Sequence, residues 1–312
     1  MIIKKIERVE VPVEKLEQSD WNIYIDTDSV FFSAVSMLNY RRPTWENNDQ
    51  ETIAKFVDEI AGEMQDYLND FYDMLAPSVF NVSKDNHRLE IKKEYIAKAG
   101  IWIAKKRYAQ WIILDKGVPV DKLDVKGLDV VRSSFPESFA NLMKTVLIDI
   151  LRGKTQNELR DLIMDFKHNM NQLNIAEISK NSAIKGLKKY MVTDGTLFRY
   201  KKGTPAHVKA AITYNDMLKH FKTPYKYAPV RDTDKIKWAY MRNNPFGVSA
   251  VGFTGYNDPD EITEFIKTYI DYDKIFEREL LKKLQDFYSV LGWGQVVNEA
   301  KAASVFFDFG ED

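Results

Sequence analysis

The sequence predicts an α+β fold in two parts, with a strand-rich first portion followed by a mainly helical second one. Two observations carry this. Short β-prone runs flank an Asp-rich turn inside the first third of the chain, and 3.6-residue apolar spacing dominates from Ser138 onward. At 312 residues the chain is long enough to bury a sizeable core and to hold two or three subdomains.

Asn22 to Ile25 and Val30 to Val35 read as two strands of a β-hairpin, with Asp26, Thr27, Asp28 and Ser29 at its tip. Glu51 to Leu75 carries a helical stripe, Ile53, Phe56, Val57, Ile60, Met64, Tyr67, Leu68, Phe71 and Leu75, which Pro77 should close. Leu89 to Ile96 and Arg107 to Leu114 read as strands, the second ending in the turn Asp115-Lys116-Gly117-Val118-Pro119. Helices are expected over Ser138 to Arg152 and Thr155 to Leu173, with Gly153 and Thr155 as caps between them. Tyr190 to Tyr240 reads as short Gly/Pro-punctuated pieces, and Glu261 to Leu291 resumes helix. Pro136 offers the best boundary between the two parts.

Composition narrows the function classes. Hydrophobic residues make up 45% and charged residues 29%, and no apolar run approaches a membrane span of about 20 residues. The start, Met1-Ile2-Ile3-Lys4-Lys5, does not read as a signal peptide, and the absence of cysteine suits a cytoplasmic setting while excluding thiolate metal sites and cysteine nucleophiles. The net charge of −1 conceals segregation: nine acids against one base from Thr44 to Leu75, but eight bases against three acids from Lys84 to Gln110. From Lys180 to Tyr240 fourteen bases face four acids, a composition suited to a polyanion.

The turn Asp26-Thr27-Asp28-Ser29 puts two carboxylates two residues apart at a strand tip, where hard divalent cations find oxygen ligands. Four readings compete. A polar hairpin turn needs no ligand. A haloacid-dehalogenase phosphatase would continue with Gly-Thr where Ser29-Val30 stands, and a nucleotide-sugar transferase would place a nucleotide-binding half ahead of Asp26. Two-metal nucleotidyl transfer is the fourth. The second motif, Ala104-Lys105-Lys106-Arg107-Tyr108-Ala109, combines three adjacent cations with an aromatic at the start of a strand, a device for gripping a nucleic-acid backbone.

Together, Tyr24-Ile25-Asp26-Thr27-Asp28-Ser29 and Lys105-Lys106-Arg107-Tyr108 resemble the Y-x-D-T-D-S and K-K-R-Y motifs of the family B DNA polymerases. Further matches follow in order: Val125-Lys126-Gly127-Leu128-Asp129 with Ser133-Ser134, then Gly203-Thr204-Pro205-Ala206-His207-Val208, then Asn244-Pro245-Phe246-Gly247. The last two look like thumb motifs of tailed-phage replicative polymerases. The resemblance implies a lead segment over 1–20, a partial palm over 21–135 and a thumb over 136–312. It makes Asp28 a metal-ligating palm aspartate and Asp26 its less directly coordinated neighbour, with Glu94 as a further carboxylate near the metals. It assigns DNA contacts to Lys105, Lys106, Arg107 and Tyr108, with Lys106 at the minor-groove edge of the primer terminus, and to Gly127, Ser133 and Ser134. The implied ligands are primer-template DNA, a dNTP and, in the assembled enzyme, two Mg²⁺ ions. Ser304, Val305, Phe306, Phe307 and Phe309 resemble the tail with which phage polymerases bind a sliding clamp.

The pattern is incomplete. The family's D-x-x-S-L-Y-P-S and K-x-x-x-N-S-x-Y-G motifs and its proofreading exonuclease domain are not found in these 312 residues. Ile25 also replaces the Gly that usually precedes D-T-D. The resemblance therefore implies the C-terminal portion of a split or truncated polymerase, active only with an N-terminal polypeptide that carries the remaining motifs. The alternative is a non-catalytic DNA- and clamp-binding module descended from such an enzyme.

Overall fold

The computed structural model describes residues 22–296 except 27, 193 and 224. Their contacts divide the chain at Lys126 and Gly127, ahead of the boundary expected near Pro136.

The first unit opens with the antiparallel hairpin β1 (Asn22–Asp26) and β2 (Ser29–Phe32), in which Asp26 pairs with Ser29 and Ile25 with Val30. Ile25 is thus an ordinary exposed strand residue, where a β-branched side chain is favoured over Gly. Val35, expected in the second strand, instead starts helix α1 (Val35–Arg41).

Helix α2 (Gln50–Val79) is 30 residues long and contains Pro77 rather than ending before it. A proline so near the end removes one amide from the ladder and leaves the last turn in place. The chain leaves the helix at Asn81, whose φ of 53° is left-handed, and the amides of Phe80 and Val82 both donate to the Ala76 carbonyl. Residues 89–94, expected to be strand, form an extended strap on α2. Asn69 exchanges two hydrogen bonds with the Ile91 backbone, at 2.8 and 3.0 Å, and the Lys93 amide donates to Gln65 at 2.9 Å.

The sheet behind α2 is antiparallel, in the order β3 (Tyr95–Ala104), β4 (Arg107–Asp115), β5 (Val118–Lys126). Ala54 and Val57 of α2 pack with Ile96, Trp111, Ile113 and Leu114 as its core. The β4–β5 turn has Lys116 at φ 50° and Gly117 at φ 80°, the pair of left-handed residues that a tight hairpin needs. Gly100 has a packing role. Trp102, two residues on and so on the same face, lays its indole over Gly100, and a Cβ there would collide with that ring.

The second unit is mainly helical and also holds one small antiparallel sheet. Helices α3 (Glu137–Leu151) and α4 (Gln156–Asn169) follow the expected spacing. Gly153 takes φ 83° between them, and Thr155 with Glu158 forms a reciprocal capping box. Next come α5 (Ile175–Ile178), β6 (Lys180–Ala183), α6 (Leu187–Tyr190), α7 (Ala206–His220), β7 (Lys235–Tyr240) and β8 (Ala250–Phe253). The three strands form an antiparallel sheet in the order β6-β7-β8. Helix α7, in a stretch expected to be broken, is buried on nearly every side, and Gly252 on β8 lets its Ala210 carbonyl come close. The C-terminal helix is interrupted: α8 (Asp260–Tyr269) stops at Ile270, α9 (Tyr272–Ile275) restarts behind an Asp271 cap, and a π-helical turn (Phe276–Leu281) leads into α10 (Lys282–Val290).

Gly100→Ala should destabilise the first unit by about 1–3 kcal/mol, the usual range for overpacking, because the Trp102 indole must leave its site. Thermal unfolding followed by tryptophan fluorescence measures this. An unchanged midpoint and spectrum would show that the indole does not rest on Gly100.

Candidate functional site

The tip of the first hairpin is held by its own backbone. The Asp28 amide donates to the Asp26 carbonyl at 2.5 Å, and the Ser29 hydroxyl donates to the same carbonyl at 3.2 Å. The Asp28 carboxylate is on an exposed residue, whereas Asp26 is partly buried.

The second motif forms the β3–β4 turn. Ala104 pairs with Arg107, so Lys105 and Lys106 are its two loop residues, with Lys106 at φ 60°. Two contacts join this turn to β1. The Lys106 amide donates to the Tyr24 hydroxyl at 3.0 Å, and its ammonium lies 3.5 Å from Asp26 Oδ2. Residues about eighty positions apart in sequence therefore form one surface, with a carboxylate tip beside a cationic turn.

An aromatic floor supports the junction. Ring centroids of Tyr24 and Tyr108 are 5.7 Å apart, those of Phe31 and Tyr108 5.5 Å, and those of Phe31 and Trp102 6.1 Å. Tyr95 joins at 6.0 Å from Phe31, and its hydroxyl accepts from Gln110 Nε2 at 3.1 Å. Burial pushes the Tyr108 hydroxyl above its ordinary pKa, the negative charge of Asp124 adding to this and Lys126 opposing it, so at neutral pH it is an uncharged hydrogen-bonding group. Lys126 pairs directly across from Tyr108 on β5, and its ammonium is 3.3 Å from Asp124.

The remaining expected residues lie elsewhere. Glu94 is exposed at the open end of β3, where its carbonyl accepts from the Lys116 amide at 2.6 Å, while Lys106 closes the other end of that strand pair. Gly127, at φ 65°, opens the second unit, and Ser133 and Ser134 are exposed there, with the Ser134 carbonyl accepting from the Asn181 amide at 3.4 Å. Ser304, Val305, Phe306, Phe307 and Phe309 lie outside the described residues. Asp124 and Trp102 escaped the sequence reading, and Lys126 entered it only as part of the motif Val125 to Asp129; the alternation of Asp124 and Lys126 on one face of β5 was the signal for the first.

The donor chemistry at the tip suits a hard divalent cation: Asp26 and Asp28 offer oxygen and no softer atom. It is a partial set, since among the described residues no group of three or more His, Cys, Asp or Glu could hold a metal.

Fold and site together define a mixed α/β protein whose acidic hairpin tip is fastened to a basic turn over an aromatic base. The family model for DNA polymerase family B matches residues 3–286, most of the chain, and the chain belongs to that family. A search of curated proteins gave no match. The family carries out DNA synthesis by nucleotidyl transfer on primer-template DNA, generally with Mg²⁺. Among the described residues no helix is long and apolar enough to cross a membrane.

Burial raises the Tyr95 hydroxyl to about 12, opposed by the Gln110 hydrogen bond. A neutral form favoured by folding contributes stability below the unfolded-state pKa near 10, and that contribution is lost as pH rises from about 10 towards 12. Chemical denaturation of wild type and Tyr95→Phe across this window should show a steeper loss in wild type. Parallel curves would mean that Tyr95 is not the group responsible.

Proposed function

We propose that this chain is the C-terminal portion of a replicative DNA polymerase of the tailed-phage type, with 21–135 as partial palm and 136–312 as thumb. The observation that carries this reading is the junction of Asp26 and Tyr24 with the Lys106 turn, because it unites a metal-suited carboxylate pair with a cationic, aromatic grip.

In this reading Asp28, exposed at the tip, is the principal carboxylate at the reacting phosphates, and Asp26 is shared between that site and Lys106. Mg²⁺, when bound, supplies the positive charge that offsets the triphosphate and the attacking primer oxygen. Lys105 and Arg107 grip primer-strand phosphates, and Lys106 reaches base edges in the minor groove, where every base pair offers an acceptor. Tyr108, held neutral, orients the primer end by hydrogen bonding. Gly127, Ser133 and Ser134 also contact DNA, and the Lys180 to Tyr240 region of the thumb supplies further positive charge. Ser304, Val305, Phe306, Phe307 and Phe309 dock a sliding clamp.

Two carboxylates on one turn do not satisfy two Mg²⁺ ions, which keep a demanding octahedral oxygen shell. The second palm aspartate and the nucleotide-binding fingers must come from polypeptide outside this sequence, whether a separate chain or a longer one. Dividing a polymerase at this point leaves both portions without activity and restores it on mixing.

Primer extension by the chain mixed with a polypeptide bearing the missing motifs tests the assignment. Asp28→Asn should lower the extension rate by ~100-fold or more, the scale on which removing one preorganised electrostatic contribution acts. Extension equal to wild type would remove Asp28 from the chemistry and favour the non-catalytic binding module instead.

A further inference from the structure

Helix α2 has two apolar stripes about a third of a turn apart. The first, with Ala54 and Val57, faces the sheet, and its continuation meets the strap at 89–94 through Gln65 and Asn69. The second runs through Phe56, Ile60, Met64, Tyr67, Phe71 and Met74 at steps of four and three, the spacing of a helix-pairing seam.

Among the described residues, only the beginning of this second stripe is covered. Helix α1 lies over it with Leu38 buried, and Ile60 beneath is 5% exposed. Met64, Tyr67, Phe71 and Met74 are 37 to 46% exposed. A run of large apolar side chains along one ridge is unusual on a free surface.

The covered part shows what chemistry suits the rest. Beside the stripe runs an acidic series at the same steps, Glu59, Glu63, Asp66 and Asp70. Where α1 lies, it answers the first two with arginines: Arg42 bonds Glu59 at 2.9 Å and Arg41 bonds Glu63 at 2.8 Å, and the Arg42 guanidinium lies 4.0 Å from the Phe56 ring centre. Asp66 and Asp70 extend the same flank, exposed, beside the uncovered apolar residues.

We propose that the Met64 to Met74 seam docks a helix with apolar residues at heptad spacing and Lys or Arg beside them, supplied by the polypeptide bearing the second palm aspartate and the fingers motif. This rests on the chain being one portion of a polymerase. A second copy of the chain is disfavoured, because pairing two such seams brings together two stretches that each carry nine acids against one base over 44–75.

The test titrates that polypeptide against the chain, reading primer extension and, separately, fluorescence anisotropy of the labelled polypeptide. The pair Tyr67→Glu/Phe71→Glu should raise the half-saturating concentration at least ~10-fold, a modest share of an interface's binding energy, and leave the plateau rate unchanged. Asp66→Lys/Asp70→Lys should shift it in the same direction. Circular dichroism melts matching wild type keep these as surface effects. Asp28→Asn should do the converse, lowering the plateau without moving half-saturation, so a wild-type plateau there sinks the catalytic reading alone. Half-saturation unchanged in both surface variants overturns the docking surface. So does a homodimer of the chain by sedimentation that Tyr67→Glu/Phe71→Glu dissolves.

Discussion

The candidate site depends on how the hairpin β1–β2 is attached to the sheet. Two strands alone are marginal in water, and this pair leaves Ile23, Ile25 and Val30 exposed on one side. What holds it lies on the other side, where Tyr24 and Phe31 meet Tyr95, Trp102 and Tyr108. Magnitudes separate the contributions. The Lys106–Asp26 pair, with the lysine side chain 66% exposed, contributes at most about 1 kcal/mol. Each aromatic pair adds about 0.5–1.5 kcal/mol beyond its buried area, and several share these five rings. Aromatic packing therefore supplies most of the attachment. The Tyr24–Lys106 hydrogen bond, about 1 kcal/mol net, decides where along the sheet the tip stops. Gly100 belongs to the same device, because it makes room for the Trp102 ring under Tyr108.

Legibility in the sequence followed the range of the interactions. Elements set by local chemistry read directly: the hairpin around Asp26 and Ser29, and α3 and α4 with Gly153 and Thr155 between them. Those set by tertiary context did not. Helix α7 is enclosed by its neighbours, so Ala206 to His220 lacks the one-sided pattern that marks a surface helix. Strand β5 holds Pro119, which reads as a breaker and is tolerated because β5 is an edge strand. The two site motifs were each visible as short runs of unusual residue type. Their junction was not, because Tyr24 and Lys106 stand 82 residues apart and nothing in either run names the other.

The two units divide the work in the proposed enzyme. The first carries the acidic tip, the grip and, on α2, an uncovered seam whose covered half already displays the matching chemistry. The second contains most of the buried core and the basic stretch from Lys180 to Tyr240. Family membership makes DNA synthesis the setting for both. The site's own residues explain why the missing motifs matter: Asp26 and Asp28 offer oxygen ligands on one turn, and one of the two is partly engaged by Lys106.

The central claim is that Tyr24 fastens the carboxylate tip to the Lys106 turn. Amide hydrogen exchange at Lys106, in wild type and in Tyr24→Phe, tests it most directly, since the hydroxyl is the acceptor for that amide. The account predicts a slowly exchanging amide in wild type and exchange faster by about 5-fold or more in the variant, as the loss of ~1 kcal/mol requires. Equal exchange in the two proteins would contradict it.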